Sequence, residues 1–315
     1  INRAVLSGEQ VVMHISNLQV ALWVNGKEVF AFGSGAQTGV QGPGVVWTAF
    51  TSSGIQPEDQ LTLTLANVYT NEALSSFDDF FQSLAGGSEY RVYRAALFSQ
   101  SGAMMIALAV TLLGLCMLVV SSYARVLRIV RAGDYVYLSA FVIVSGLWMG
   151  VNYQVVSLVV PYPAFYHTLE MLCMAFMPIF LMAYMLPLTG KPQRPACFAV
   201  ILLELAVAFT GIVLQLFRVT DLPALTGYFA AADVAGILVF SLCLSKTLLR
   251  DPQKETRSAI LPLFILFIGA LLNLANFFFG WRTNGMFYSI AFLGFSLWEM
   301  VRLIYLFREY VRRSR

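Results

Sequence analysis

The chain has 315 residues, of which 58% are hydrophobic and 14% aromatic against 12% charged, and its mean hydropathy is +0.73. That balance excludes a disordered or highly charged chain and points to a protein embedded in a bilayer. The formal charge of +3 sits between the apolar stretches, so it reads as topology and contact with anionic lipid, and no nucleic-acid footprint is expected.

Residues 1–99 predict β structure. The run 11–15 is β-rich but alternates poorly. Runs 20–24 and 28–32 flank Asn25-Gly26, a strong hairpin signal because both central residues of a type I′ turn take positive φ. Runs 45–50 and 61–66 follow; in the second, Leu61, Leu63 and Leu65 alternate with Thr62 and Thr64, which predicts one buried face. The Gly-rich stretch 33–44 reads as a long connection. About five strands with turn signals argue for a β-sandwich or jelly roll. That number is short of a closed sandwich, and Ile1 is not preceded by the signal segment of an externally facing domain, so further sequence upstream is expected. Phe77, Phe80, Phe81 and Leu84 are spaced i, i+3, i+4, i+7, which predicts a short amphipathic helix near 76–85 with Asp78 and Asp79 off its apolar stripe. Residues 90–98 then enter the first apolar stretch without a flexible linker.

A carbohydrate or other small ligand of this head would stack on Trp23, Trp47 or Tyr69 and hydrogen-bond Asn25, Lys27 and Asn67. Against that, strand aromatics ordinarily pack in cores, and the turn by itself accounts for Asn25.

Seven stretches have the roughly 20 apolar residues that a helix needs to cross a bilayer: 102–122, 135–156, 165–186, 196–217, 225–247, 259–280 and 286–307. Basic residues alternate between the connections. Arg125, Arg128 and Arg131 follow the first stretch, Lys191 and Arg194 the third, Lys246, Arg250, Lys254 and Arg257 the fifth, and Arg308, Arg312, Arg313 and Arg315 the seventh. The opposite connections hold only Arg218 and Arg282. Positive charge stays cytoplasmic during insertion, so the expected topology in the cytoplasmic membrane is N-terminus outside and C-terminus inside. The expected organisation is a head over 1–99, a seven-helix bundle over 100–307, and the start of a cytoplasmic connecting helix over 308–315. Cys116, Cys173, Cys197 and Cys243 all fall within spans and at no metal-ligand spacing, so neither a disulfide in the head nor a metal or other cofactor is expected.

Ionisable side chains inside spans cost enough to be functional candidates by default. His167 and Glu170 share a face at the outer end of the third span, Glu204 lies mid-fourth, Asp233 mid-fifth, and Glu299 three residues before Arg302 in the inner half of the seventh. The last two read most simply as an intrahelical ion pair with Arg302 snorkelling. Glu204 and Asp233 have no Lys or Arg at their depth; they are protonated, bond to Asn152, Gln154, Asn273 or Asn276 on other helices, or line a pocket. His167 with Glu170 is too small a set for a metal site. Pro178, Pro187 and Pro262 mark kink positions. Gly146 and Gly150, spaced as GxxxG, suit close helix packing within the chain or in a homodimer. The last span holds no Lys for a retinal Schiff base, and no phosphate loop, Ser-His-Asp series or HExxH is present.

The run Ala21-Leu22-Trp23-Val24-Asn25-Gly26-Lys27-Glu28-Val29, then 44–50 with Trp47, 61–65, and Ser76-Phe77-Asp78-Asp79-Phe80-Phe81, ahead of seven apolar stretches, resembles bacterial seven-transmembrane receptors with diverse intracellular signalling modules. The resemblance implies an extracellular galactose-binding-like jelly roll. It also implies a cytoplasmic output domain in cis, a diguanylate cyclase or histidine kinase, after Arg315. The expected function is that of a sensory input module, itself not an enzyme, that passes detection of an unknown small molecule or carbohydrate through the bundle. The alternatives are a transporter or channel using Glu204 and Asp233, and a membrane-tethered carbohydrate-binding module.

Overall fold

The computed structural model describes residues 5–35, 42–69, 73–127, 135–152, 157, 162–250, 254–279 and 286–313. Ile1, Arg128, Arg131, Gln154, Gly280, Arg282, Ser314 and Arg315 lie outside the described residues, as do the side chains of Ser76, Asp79, Lys254, Asn273, Asn276 and Arg313 and part of the 33–44 connection.

The head contains β1 (Gln10–Ser16), β2 (Leu18–Val24), β3 (Lys27–Phe32), β4 (Val45–Thr51), β5 (Leu61–Asn67), α1 (Ala73–Ser83) and β6 (Ala85–Gly87). These form two antiparallel sheets of three strands, ordered β4-β1-β6 and β3-β2-β5. The hairpin forms as the sequence predicts: Asn25 and Gly26 have φ of 51° and 79° and join β2 to β3. Strand β1 is central in its sheet. Val11, Met13 and Ile15 on one face feed the core, while Val12, on the opposite face between Gln10 and His14, is equally buried and is the residue that breaks the alternation. In β5, Leu63 and Leu65 pack against the core and Thr62 and Thr64 are exposed. Val11, Met13, Ile15, Leu18, Val20, Val46 and Phe80 make one shared core between strands of both sheets and α1. What is established is two small antiparallel sheets about that core, a coarser description than a jelly roll.

Two details differ from expectation. A sixth strand, β6, pairs with β1 through Ala and Gly alone, residues that carry no hydrophobic pattern. The apolar stripe of α1 is narrower than its spacing implies: Phe80 is 1% exposed but Phe81 is 57% exposed. Successive helical residues point about 100° apart, so a short helix lying on one strand buries Phe80 and turns Phe81 away.

Long helices follow: α2 (Glu89–Val126), α3 (Tyr135–Asn152), α4 (Pro163–Met185), α5 (Arg194–Leu216), α6 (Thr226–Arg250), α7 (Lys254–Phe279) and α8 (Met286–Arg313). Among the described residues six are long and apolar enough to cross a membrane, within α2, α3, α4, α5, α6 and α8. The expected span 259–280 falls on α7, whose apolar part among the described residues is Ile260–Leu272, roughly 20 Å at about 1.5 Å per residue. Six candidate membrane helices are thus established rather than seven. Their apolar windows are only 22–44% buried, and Val119, Phe209 and Leu242 face outward more than half exposed. Leaving such side chains in water would forgo about 1.5–3 kcal/mol each; in hydrocarbon the penalty vanishes, as expected of a membrane-embedded protein.

The chain forms two compact units. One comprises Ile1–Met104, Val151–Met171 and Gly211–Leu225, so the connections around 151–171 and 211–225 gather with the head. The other comprises Met105–Gly150, Leu172–Thr210 and Thr226–Arg315. In the second unit the GxxxG spacing packs α3 on α2: a Cβ at Gly146 would lie 2.8 Å from the Thr111 backbone nitrogen, and one at Gly150 would touch Ala107.

Candidate functional site

The six ligand-binding candidates of the head do not form one cluster. Trp23, Asn25 and Lys27 lie at the hairpin end of the β3-β2-β5 sheet, where Val24 pairs with Leu61. Asn67 and Tyr69 lie at the other end, where Leu18 pairs with Asn67, roughly 20 Å away at about 3.3 Å per residue. Asn25 is engaged at both ends of its amide. Its Nδ2 donates to Asp59 Oδ1 at 2.7 Å and its Oδ1 accepts from Gln60 N–H at 3.0 Å. Asp59 also accepts from Gln56 N–H at 2.7 Å, and these two bonds hold its carboxyl below the usual range. Asn67 Oδ1 accepts from Tyr69 N–H, while its Nδ2 is buried with no partner among the described residues. Trp47 belongs to the other sheet and packs on His14, ring centroids 5.2 Å apart. Burial lowers the His14 pKa to about 4, so the imidazole is neutral at physiological pH.

Tyr69 and Trp47 instead meet the connections that gather with the head. The Tyr69 hydroxyl donates to Asp221 Oδ2, which also accepts from Gly42 N–H at 3.0 Å, and Asp221 Oδ1 accepts from Ala224 N–H at 3.3 Å. Tyr69 and Asp221 are both buried. A Cβ at Gly42 would collide with the Tyr69 ring, so only glycine lets the backbone approach this carboxylate. Ser157 Oγ accepts from Trp47 N–H at 3.0 Å and lies 3.2 Å from the Trp47 carbonyl, its own acceptor. Sequence reasoning missed Asp221, Ser157 and His14. Asp221 precedes Leu222-Pro223 and reads as an ordinary cap for the 3₁₀ turn Pro223–Leu225; nothing local to it signals a partner 152 residues earlier.

His167 and Glu170 lie side by side as predicted, Nδ1 to Oε2 3.5 Å, and both are buried. Glu299 and Arg302 form the expected intrahelical pair at 3.4 Å, but Glu299 is 0% exposed and the pair belongs to a larger cluster. Tyr135 of α3 and Tyr184 of α4 donate to Glu299 Oε2 at 3.1 and 3.0 Å, and Arg302 also reaches the Tyr184 hydroxyl at 3.4 Å. Three helices therefore converge on one carboxylate oxygen, and the two tyrosines read in sequence only as apolar-span residues. Glu204 of α5 is buried, its Oε1 without a partner among the described residues and beside the backbone of Gly236. Asp233 lies one turn before Gly236 on α6, and both line a cavity of about 220 Å³ in the bundle. Among the described residues no group of three or more His, Cys, Asp or Glu side chains is placed to hold a metal.

The head has a cavity of its own, about 510 Å³, walled by aliphatic and aromatic side chains including Val20, Leu22, Phe30, Phe50, Leu63 and Phe80. Among the described residues its lining offers no polar side chain to a sugar hydroxyl. Compared with protein-family profiles, curated proteins and solved structures, the chain matches none.

Proposed function

We propose that the chain is the sensory input module of a bacterial transmembrane signalling receptor, with a jelly-roll-like head outside, seven spans, and the C-terminus in the cytoplasm. A ligand or partner on the head biases the bundle between two arrangements, and α8 delivers that bias to an effector, a diguanylate cyclase or histidine kinase, in cis. The observation that supports this reading is the buried Tyr69–Asp221 hydrogen bond, seconded by Trp47–Ser157: a head that only decorated a membrane anchor would need no buried polar tie to the connections between spans. α2 runs unbroken from Glu89 to Val126. Activity of the native-frame product in membranes tests the proposal. Proline at Val311 in α8 should uncouple effector output from head perturbation while leaving the head's melting unchanged; full coupling in that variant overturns it.

A transport reading is favoured by one observation, the position of Asp233 in a bundle cavity with Glu204 behind Gly236. Solute or proton flux in proteoliposomes that is lost in Glu204→Gln and Asp233→Asn would support that reading against the first.

A further inference from the structure

The bundle cavity is lined by residues of α3, α4, α6, α7 and α8, and its wall is apolar almost throughout, with Trp148, Met182, Phe267 and Tyr288 among the lining residues. Among the described residues its polar lining side chains are Thr226, Tyr288 and Trp148, its one ionisable acid is Asp233, and no Lys, Arg or His lines it. Asp233 makes no hydrogen bond or ion pair among the described residues. Trp148 and Tyr288 stand edge to face, centroids 5.9 Å apart, and present aromatic surface to the same space. Met182 fills the gap opposite Gly236, where a Cβ would collide with its methyl, so the cavity floor depends on glycine there.

We propose that this cavity binds a small hydrophobic cation, an arylalkyl or alkyl ammonium, with Asp233 as counter-ion and Trp148 and Tyr288 as aromatic partners. Size, polarity and charge each select that class. An engineered cavity of about 150 Å³ accepts benzene, so about 220 Å³ accommodates a benzene ring carrying a two- or three-atom side chain. Sugars and hydrated inorganic ions are disfavoured, because their polar groups would be desolvated against a wall with few partners. Asp233 has no basic partner among the described residues and Glu204 of α5 is its electrostatic neighbour, so a carboxylate in such a wall is costly and an ammonium supplies the missing pair in a medium where the pairing is strong. The same cation is attracted to the faces of Trp and Tyr. A neutral ligand of equal shape would leave the carboxylate unpaired. The site stands whether or not α8 feeds an effector.

The test is calorimetric titration of the full chain in nanodiscs with 2-phenylethylammonium and, in parallel, with 2-phenylethanol, its neutral analogue. The amine should bind at least about tenfold more tightly than the alcohol, as expected for a charge-assisted hydrogen bond. Asp233→Asn should remove that preference while leaving the weaker alcohol binding in place, which also shows that the variant is folded. Ala230→Phe, which fills the cavity from α6, should abolish binding of both. Equal binding of amine and alcohol, an unchanged preference in Asp233→Asn, or no binding of the amine overturns the proposal.

Discussion

The Tyr69–Asp221 bond joins residues 152 positions apart in a buried setting, and its removal should be felt at both ends. Tyr69→Phe and Asp221→Asn should each destabilise the head by about 1.5–3 kcal/mol, the range for hydrogen bonds to charged groups. In a double-mutant cycle the two losses should fail to add, read from thermal unfolding of the purified chain. His14 makes the head acid-sensitive. Its folded pKa of about 4 lies below its ordinary 6.5, so the unfolded chain binds the proton first and stability falls as pH drops from about 6.5 to 4. The full loss is on the order of 3 kcal/mol. Asp59, held below its ordinary 3.8, contributes stability that is lost only as pH falls below that value. His14→Phe, which keeps a ring against Trp47, should flatten the melting temperature between pH 7 and 4.5 and leave any loss below pH 4 in place. At Glu299, the gain of two tyrosine donors makes the carboxylate a three-helix junction. Glu299→Gln retains an acceptor and should be milder than Glu299→Leu, which strands Arg302 and both hydroxyls and should cost about 3–5 kcal/mol.

Elements were legible in the sequence wherever local chemistry dictates them. The Asn25-Gly26 turn, the alternation of β5 from Thr62 to Leu65, the existence of α1 (though it starts at Ala73, three residues before the expected 76) and the spans carried by α2, α3, α4, α5, α6 and α8 all follow from φ preference, residue period, or apolar length. The losses have physical reasons. β6 consists of Ala and Gly and carries no period, and in β1 the buried Val12 among Gln10, His14 and Ser16 interrupts the alternation of Val11, Met13 and Ile15. Pro187 falls in a 3₁₀ turn after α4, not inside the helix, whereas Pro178 lies inside α4 and Pro262 inside α7, as their expected kink positions require. The GxxxG pair of α3 shows which of two predicted uses is present within the chain: Gly146 lies against Thr111 of α2. Gly146→Leu should therefore separate α2 from α3 and destabilise the bundle by about 1–3 kcal/mol, measured as a lowered thermal midpoint in detergent.

At the scale of the molecule, the sequence could name chemically costly residues but not their long-range partners. It singled out Glu204, Asp233 and Glu299 because charge in hydrocarbon is expensive, yet Tyr135, Tyr184, Trp148 and Tyr288, which complete their surroundings, are unexceptional in an apolar span. It grouped Trp23, Asn25, Lys27, Trp47, Asn67 and Tyr69 as one ligand face, whereas strand register distributes them over two sheets and both ends of one. On the proposed function, the head's polar tie to the span connections biases the arrangement of the bundle. The most direct test is the distance distribution between spin labels at Lys191 and Arg312, introduced as cysteines in a Cys116→Ser background and measured with and without Tyr69→Phe. A shift in the populations of that distribution is the predicted result. An identical distribution, in a variant whose head melting is lowered, would contradict the account.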